Sequence, residues 1–167
     1  MTAEFFINHL NLQPHPEGGY FKETYHAAES IPADVLPTRF NGDRSFSTAI
    51  YYLLQHGDYS AFHRIKSDEC WHFYAGQTLL IHIIKNDGKY YCIKLGANID
   101  AGEIFQFAVP ATAWFAAEPA GNSAFVLAGC TVAPGFDFAD FEIADQQTLL
   151  SAFPQHSSII SRLCRQD

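Results

Sequence analysis

Residues 62–72 read FHRIKSDECWH and place His63, Asp68, Glu69, Cys70 and His72 within ten positions. Side chains of these types can ligate a transition metal, pass protons to and from a bound molecule, or supply a thiolate. Strand geometry thins the group. Asp68 belongs to the turn KSD at 66–68, and Cys70 reads as a core thiol. Residues 69 and 72 differ in parity, so in a regular strand their side chains leave on opposite faces, and His72 joins Glu69 only if a β-bulge intervenes. His63 and Glu69 are therefore the central pair, with His72 in reserve. Each has a structural reading as well: His63 as a hydrogen-bonded core histidine, Glu69 as a partner of Arg64 or Lys66.

The elements that must hold this pair are short and numerous. From Ser45 onward STAIYYLL, AFHRI, CWHFYA, TLLIHIIK, YYCIKL, EIFQFAV, AWFAA and AFVLAGCTV follow one another, separated by HGD, KSD, AGQ, NDG, GANIDAG and GN. Strand-length apolar runs punctuated by turns at regular spacing predict an all-β sandwich or barrel. Thr2 caps a short helix bearing Phe5, Phe6 and Leu10, and residues 27–44 read as a long surface loop. A closing helix, DQQTLLSAF, is capped by Asp145, and a second follows Pro154. No repeat or linker divides the chain. The expected organisation is one domain over 1–167, with a helical segment at 1–12, a barrel core at about 18–143 and C-terminal helices at about 145–165.

With 48% hydrophobic residues, 15% aromatic residues and a net charge of −8, the composition is that of a folded acidic protein. Acidic charge argues against nucleic-acid and anionic-membrane partners. No basic-then-apolar leader opens the chain, and the four cysteines show no CxxC pair, so reduced thiols and a cytoplasmic location are expected. Segments 47–54 and 78–85 are apolar on both faces, which predicts a homodimer, unless the terminal helices cover the outer faces.

Written with its spacing, Gly57, His63, Ile65, Glu69 and Gly76 resembles the first motif of the cupin superfamily, G-x5-H-x-H-x3–4-E-x6-G, with Ile65 at the second histidine. Gly102, Pro110 and PATAWF at 110–115 resemble a degenerate second motif, with Thr112 for glycine, Phe115 for histidine and Pro119 for asparagine. HPEGGYFKETY, STAIYYLL, FHRIKSDECWHFYAG, VPATAWFAA and GCTVAPGFDFADFE together resemble an uncharacterised cupin-like branch related to the RmlC-like sugar epimerases, over His15 to Glu142. The resemblance implies a jelly-roll β-barrel with short terminal helices, commonly dimeric, with a pocket inside the barrel. A metal-bearing cupin would use three histidines and a glutamate, of which His63 and Glu69 remain. Two protein ligands rarely hold a transition metal, so no cofactor is expected, and His63 with Glu69 are the ligands if a divalent metal is bound.

The resemblance to the epimerases implies His63 as general base, Glu69 as its orienting carboxylate, and Tyr74 or Tyr51 as acid, acting on a small sugar-like or carbonyl metabolite without a metal. A non-catalytic small-molecule binding protein and a metal-dependent oxygenase or isomerase are the alternatives. Gln106 is a candidate polar pocket group. Trp114 and Phe115 are candidates for an apolar ligand platform as well as for the core. Glu17, beside Gly18 and Gly19 in the HPEGG turn, stands where backbone can approach a ligand. His72 and His82 read as structural hydrogen-bonding groups, with His72 kept among the ligand-binding candidates. PGFDFADFE at 134–142 reads as a lid or edge segment, its phenylalanines buried and its acids solvated.

Overall fold

The computed structural model describes residues 1–165. In chain order its elements are α1 (Ala3–Leu10), β1 (Gln13–Pro14), β2 (Tyr20–His26), β3 (Ser30–Ile31), β4 (Arg44–Ser45), β5 (Thr48–Gln55), β6 (Ser60–Arg64), β7 (Asp68–Gly76), β8 (Leu79–Ile84), β9 (Tyr90–Leu95), β10 (Gln106–Val109), β11 (Trp114–Pro119), β12 (Phe125–Ala133), β13 (Glu142–Ile143), α2 (Gln146–Ala152) and α3 (Ser157–Leu163). Two antiparallel sheets, ordered β1-β2-β5-β12-β7-β10 and β13-β6-β11-β8-β9, face each other as a jelly-roll barrel; β3 and β4 form a small separate pair. The predicted strand runs and both capped helices appear where the periodicity places them. Asp145 accepts the Thr148 amide, and Thr2 accepts the Phe5 amide at 3.2 Å.

Alternation along each strand decides what enters the barrel. On β5 Tyr52 and Leu54 point in; on β12 Val126, Ala128 and Cys130 do; from the second sheet come Ile81, Ile83, Phe115 and Ala117. Removing these side chains from water is the main source of stability, at about 25 cal/mol per Å² of apolar surface. The opposite faces are covered by helices. Leu53 and Leu127 lie under Phe6, Ile7 and Leu10 of α1, while Phe62, Ile84, Trp114 and Ala116 pack on Leu149, Ile160 and Leu163 of α2 and α3. The two-sided apolarity of β5 and β8 is thus accounted for within the chain.

Two bulges bear on the site. On β6, Ala61 and Phe62 stand opposite the single residue Ala116, so the register steps between the pairs Ser60–Ala117 and His63–Phe115. The bulge turns the Ala61 amide outward to the Glu17 carbonyl at 3.0 Å, docking the HPEGG turn on the strand. On β7 the extra residue is Tyr74, between Phe73 and Ala75. Glu69 to His72 therefore remain in regular alternation.

Candidate functional site

His63 is held on three sides. Its Nδ1–H donates to the Ala61 carbonyl at 2.7 Å, and its ring packs against Phe115 and Phe141 with centroids 4.1 and 5.4 Å away. A carbonyl oxygen can only accept, so the hydrogen is on Nδ1 and Nε2 is the working nitrogen. Nε2 faces Glu17 Oε2 at 3.2 Å. Ser60 and His63 thus hold the two carboxylate oxygens of Glu17 in place.

Glu17 reaches this position because its turn is built for close approach. Gly18 has φ +120°, and a Cβ there would lie 2.0 Å from the Tyr59 carbonyl oxygen. Tyr52 donates to the Gly18 carbonyl at 2.7 Å, and Ser60 donates to Glu17 Oε1 at 2.9 Å. The Glu17 amide donates to His15 Nδ1 at 3.2 Å, so a neutral His15 carries its hydrogen on Nε2. Burial lowers the His15 pKa against the pull of Glu17, and the charges of His63 and Arg165 lower it further.

Glu69 shares the cavity. Burial first, and the Glu17 charge second, push its carboxyl up to about 8, with the Cys130 contact working the other way. Glu69 is therefore protonated near pH 7 and able to donate. Burial holds Cys130 as a thiol. The cavity, of about 100 Å³, is walled by His15, Glu17, His63, Glu69 and Cys130 on its polar side. Phe21, Ile50, Ile65 and Val132 form its apolar side, and Phe136, Phe138 and Phe141 its rim.

The 134–142 segment does form this rim, with two departures from expectation. Phe138 is 61% exposed, because it stands at the mouth. Asp140 is buried, its carboxylate taking two bonds from Arg44 at 2.6 and 2.7 Å, with Lys66 at 3.3 Å.

The remaining candidates lie elsewhere. His72 is on the outer face of the six-stranded sheet, accepting from the Gln106 amide at 2.9 Å and donating to Thr131 Oγ1 at 3.1 Å. The bulge that would have turned it inward falls after it. Gln106 follows it outward as its cross-strand neighbour. Tyr74 is exposed and packs edge-to-face on Tyr51, on that same outer face. Tyr52, one position on, is the tyrosine that faces in. Trp114 lies beneath the C-terminal helices with the Arg64 guanidinium 4.3 Å from its ring, and Phe115 alone of that pair enters the barrel, beside His63. Cys70 is half-buried on the outer side, and the cysteine in the cavity wall is Cys130. Glu17, not Glu69, is the carboxylate that meets His63.

His15, Tyr52, Ser60 and Cys130 were not singled out from the sequence. The signal for His15 was its place two residues before Glu17 in the same glycine turn. A cupin-type metal would need a donor set that this cavity does not present. Ile65 and Phe115 carry no ligand atom, His63 Nδ1 and His15 Nδ1 are committed to backbone, and His63 Nε2 is committed to Glu17. Among the described residues no three His, Cys, Asp or Glu side chains are disposed to hold a metal ion.

Comparison with known proteins agrees with this fold. The Cupin superfamily (DUF985) family matches residues 4–144. An uncharacterized protein of Saccharomyces cerevisiae is 32% identical over 157 residues, covering 83% of this chain and 73% of its own. A hypothetical protein from Leishmania major is 35% identical with a TM-score of 0.90, covering 99% of this chain and 100% of its own. A structure from Shewanella oneidensis is 36% identical with a TM-score of 0.90, covering 100% and 99%. The chain belongs to this cupin family.

Proposed function

We propose that this cupin binds a small, uncharged sugar-like or carbonyl metabolite in the barrel cavity and acts on it as a metal-independent isomerase or epimerase. The observation that carries the reading is the 3.2 Å contact of His63 Nε2 with Glu17, with Nδ1 anchored on a carbonyl. That arrangement makes Nε2 the nitrogen that can exchange a proton with a ligand that displaces its Glu17 contact, and keeps a carboxylate beside it to steady the charge. Glu69, carrying its proton, supplies the acid that the sequence assigned to a tyrosine. His63 Nε2 removes the proton next to the ligand's carbonyl, the Glu69 proton goes to the carbonyl oxygen, and both return in the reverse step. The lining residues support an uncharged ligand over an anionic one. No lysine or arginine is among the described cavity-lining residues, whereas the carboxyl groups of Glu17, Glu23 and Glu69 are. A phosphorylated sugar would bury its charge there without a counter-ion.

The test is proton exchange. Incubation with neutral carbonyl metabolites in deuterated water, followed by NMR, should show exchange at the carbon next to the carbonyl. His63→Gln and Glu17→Gln should abolish it while calorimetric binding persists. Binding without exchange in the native protein would favour the non-catalytic binding alternative. Exchange that tracks stoichiometric transition metal would favour the metal-dependent one.

The same reading places the protein in a reducing, cytoplasmic setting, supported by four free cysteines. No helix among the described residues is long and apolar enough to cross a membrane. We also propose a homodimer through the part of the outer face that α1 leaves open, where Tyr51, Tyr74, His72 and Gln106 form a hydrogen-bonded aromatic patch.

A further inference from the structure

A second group of reactive side chains lies on the far side of the molecule, on the outer face of the five-stranded sheet. Cys92 on β9 is the direct register partner of His82 on β8, which puts their Cβ atoms about 5 Å apart. His82 is almost fully buried and Cys92 is exposed. His82 Nε2 meets Glu118 Oε1 on β11 at 3.0 Å, and Nδ1 meets the Tyr90 hydroxyl at 2.8 Å. Arg162 of α3 bonds the other oxygen of Glu118. Tyr90 and Lys94 flank Cys92 on its own strand, and His156 packs on the Tyr90 ring at 5.4 Å. A thiol, an imidazole and a carboxylate thus stand in sequence across three adjacent strands.

The electrostatics act in one direction. Burial by itself would lower the His82 pKa, but its contacts with Cys92 and Glu118 overcome that and raise it. Glu118 is brought down to about 2, against burial, by its bonds from His82 and Arg162. His82 stands where it can take up the Cys92 proton, and Arg162 and Lys94 place further positive charge nearby. The other three cysteines are held as thiols. Burial raises Cys70, pushes Cys164 to about 11, and suppresses Cys130 most strongly.

We infer that Cys92, His82 and Glu118 form a thiol modification site, at which Cys92 is selectively converted to a mixed disulfide by small-molecule disulfides. The Cys92 proton passes to His82. The thiolate attacks one sulfur of R–S–S–R, a Cys92–S–S–R bond forms, and the original S–S bond breaks. R–S⁻ leaves with the electron pair and takes up the proton from His82. The small disulfide is the oxidant, so the exchange balances without a further reactant. The Tyr90 hydroxyl occupies Nδ1 and competes with the thiol for it, so it restrains the reaction.

The experiment uses the full-length protein and a chromogenic aromatic disulfide. One fast-reacting thiol per chain is expected, mapped by peptide mass to Cys92 and absent in Cys92→Ser. At pH 6.5, His82→Gln should slow this phase about tenfold, because the thiol loses its proton acceptor. Glu118→Gln should slow it less, and Tyr90→Phe should accelerate it by freeing Nδ1. A fast phase that maps to Cys70, or a His82→Gln protein with the native rate and pH profile, would overturn the inference. Should His82→Gln fail to fold, native rates in both Glu118→Gln and Tyr90→Phe would overturn it equally.

Discussion

Replacing Glu69 with glutamine should change how stability depends on pH, in a direction set by the cavity. In the native chain the Glu69 carboxyl is pushed from 4.5 up to about 8 by burial and by Glu17. In the unfolded chain it ionises at its ordinary value. Between these limits unfolding releases a proton. The favourable contribution of the neutral acid is complete below about pH 4.5 and is lost as pH rises towards 8, at about 1.4 kcal/mol per pH unit. Glutamine has the same shape and no proton to release. Urea unfolding of both proteins from pH 5 to pH 7.5 should therefore show the variant gaining about 3 kcal/mol relative to the native chain across that range. Other titrating groups are common to both proteins and cancel in the difference. Any constant cost of the amide shifts the difference without tilting it. A difference that stays flat with pH would mean that Glu69 is ionised in the folded state. The cavity would then hold no neutral acid, and the proposed proton donor would be lost with it.

Three other substitutions test separate parts of the structure. Asp140→Asn leaves Arg44 buried without its counter-charge and should cost about 3 kcal/mol in thermal unfolding. Burial would raise the Asp140 pKa, but bonds from Arg44 and Lys66 hold it below its ordinary value; the native chain should lose this contribution as pH falls through that lowered pKa, and Asp140→Asn should not. Gly18→Ala sets a Cβ against the Tyr59 carbonyl and should cost more than about 2 kcal/mol, with loss of ligand binding, whereas Gly57→Ala, which meets open space at φ +84°, should cost about 1 kcal/mol and leave binding intact. His72→Ala should leave calorimetric ligand binding unchanged and weaken self-association measured by light scattering.

The strands were legible because their apolar runs are short and their turns carry Gly, Asn and Asp. The facing of individual residues was legible only where one side of a strand is wet. On β7, where Cys70, His72 and Tyr74 meet solvent in part, parity separated Glu69 from His72 correctly. On β5 both faces are covered, one by the core and one by α1, so alternation gave no means of choosing Tyr52 over Tyr51. The same ambiguity joined Trp114 to Phe115, since helices cover the outer side of β11. The meeting of Glu17 with His63 joins residues 46 apart through a bulge and a glycine turn, neither of which leaves a periodic trace. Ile65 was the most informative position from sequence alone, and it lines the cavity.

Phe138 stands at the cavity mouth with most of its ring in water, while Phe136 and Phe141 back it at centroid distances of 5.0 and 6.3 Å. Its exposure turns the mouth into a gauge of ligand length. A molecule confined to the polar floor leaves the ring hydrated and binds with little change in heat capacity. One long enough to cover the ring removes that apolar surface from water and binds with a distinctly negative change. Titrations of a homologous ligand series at several temperatures would thus report how far each member extends from Glu69 towards solvent.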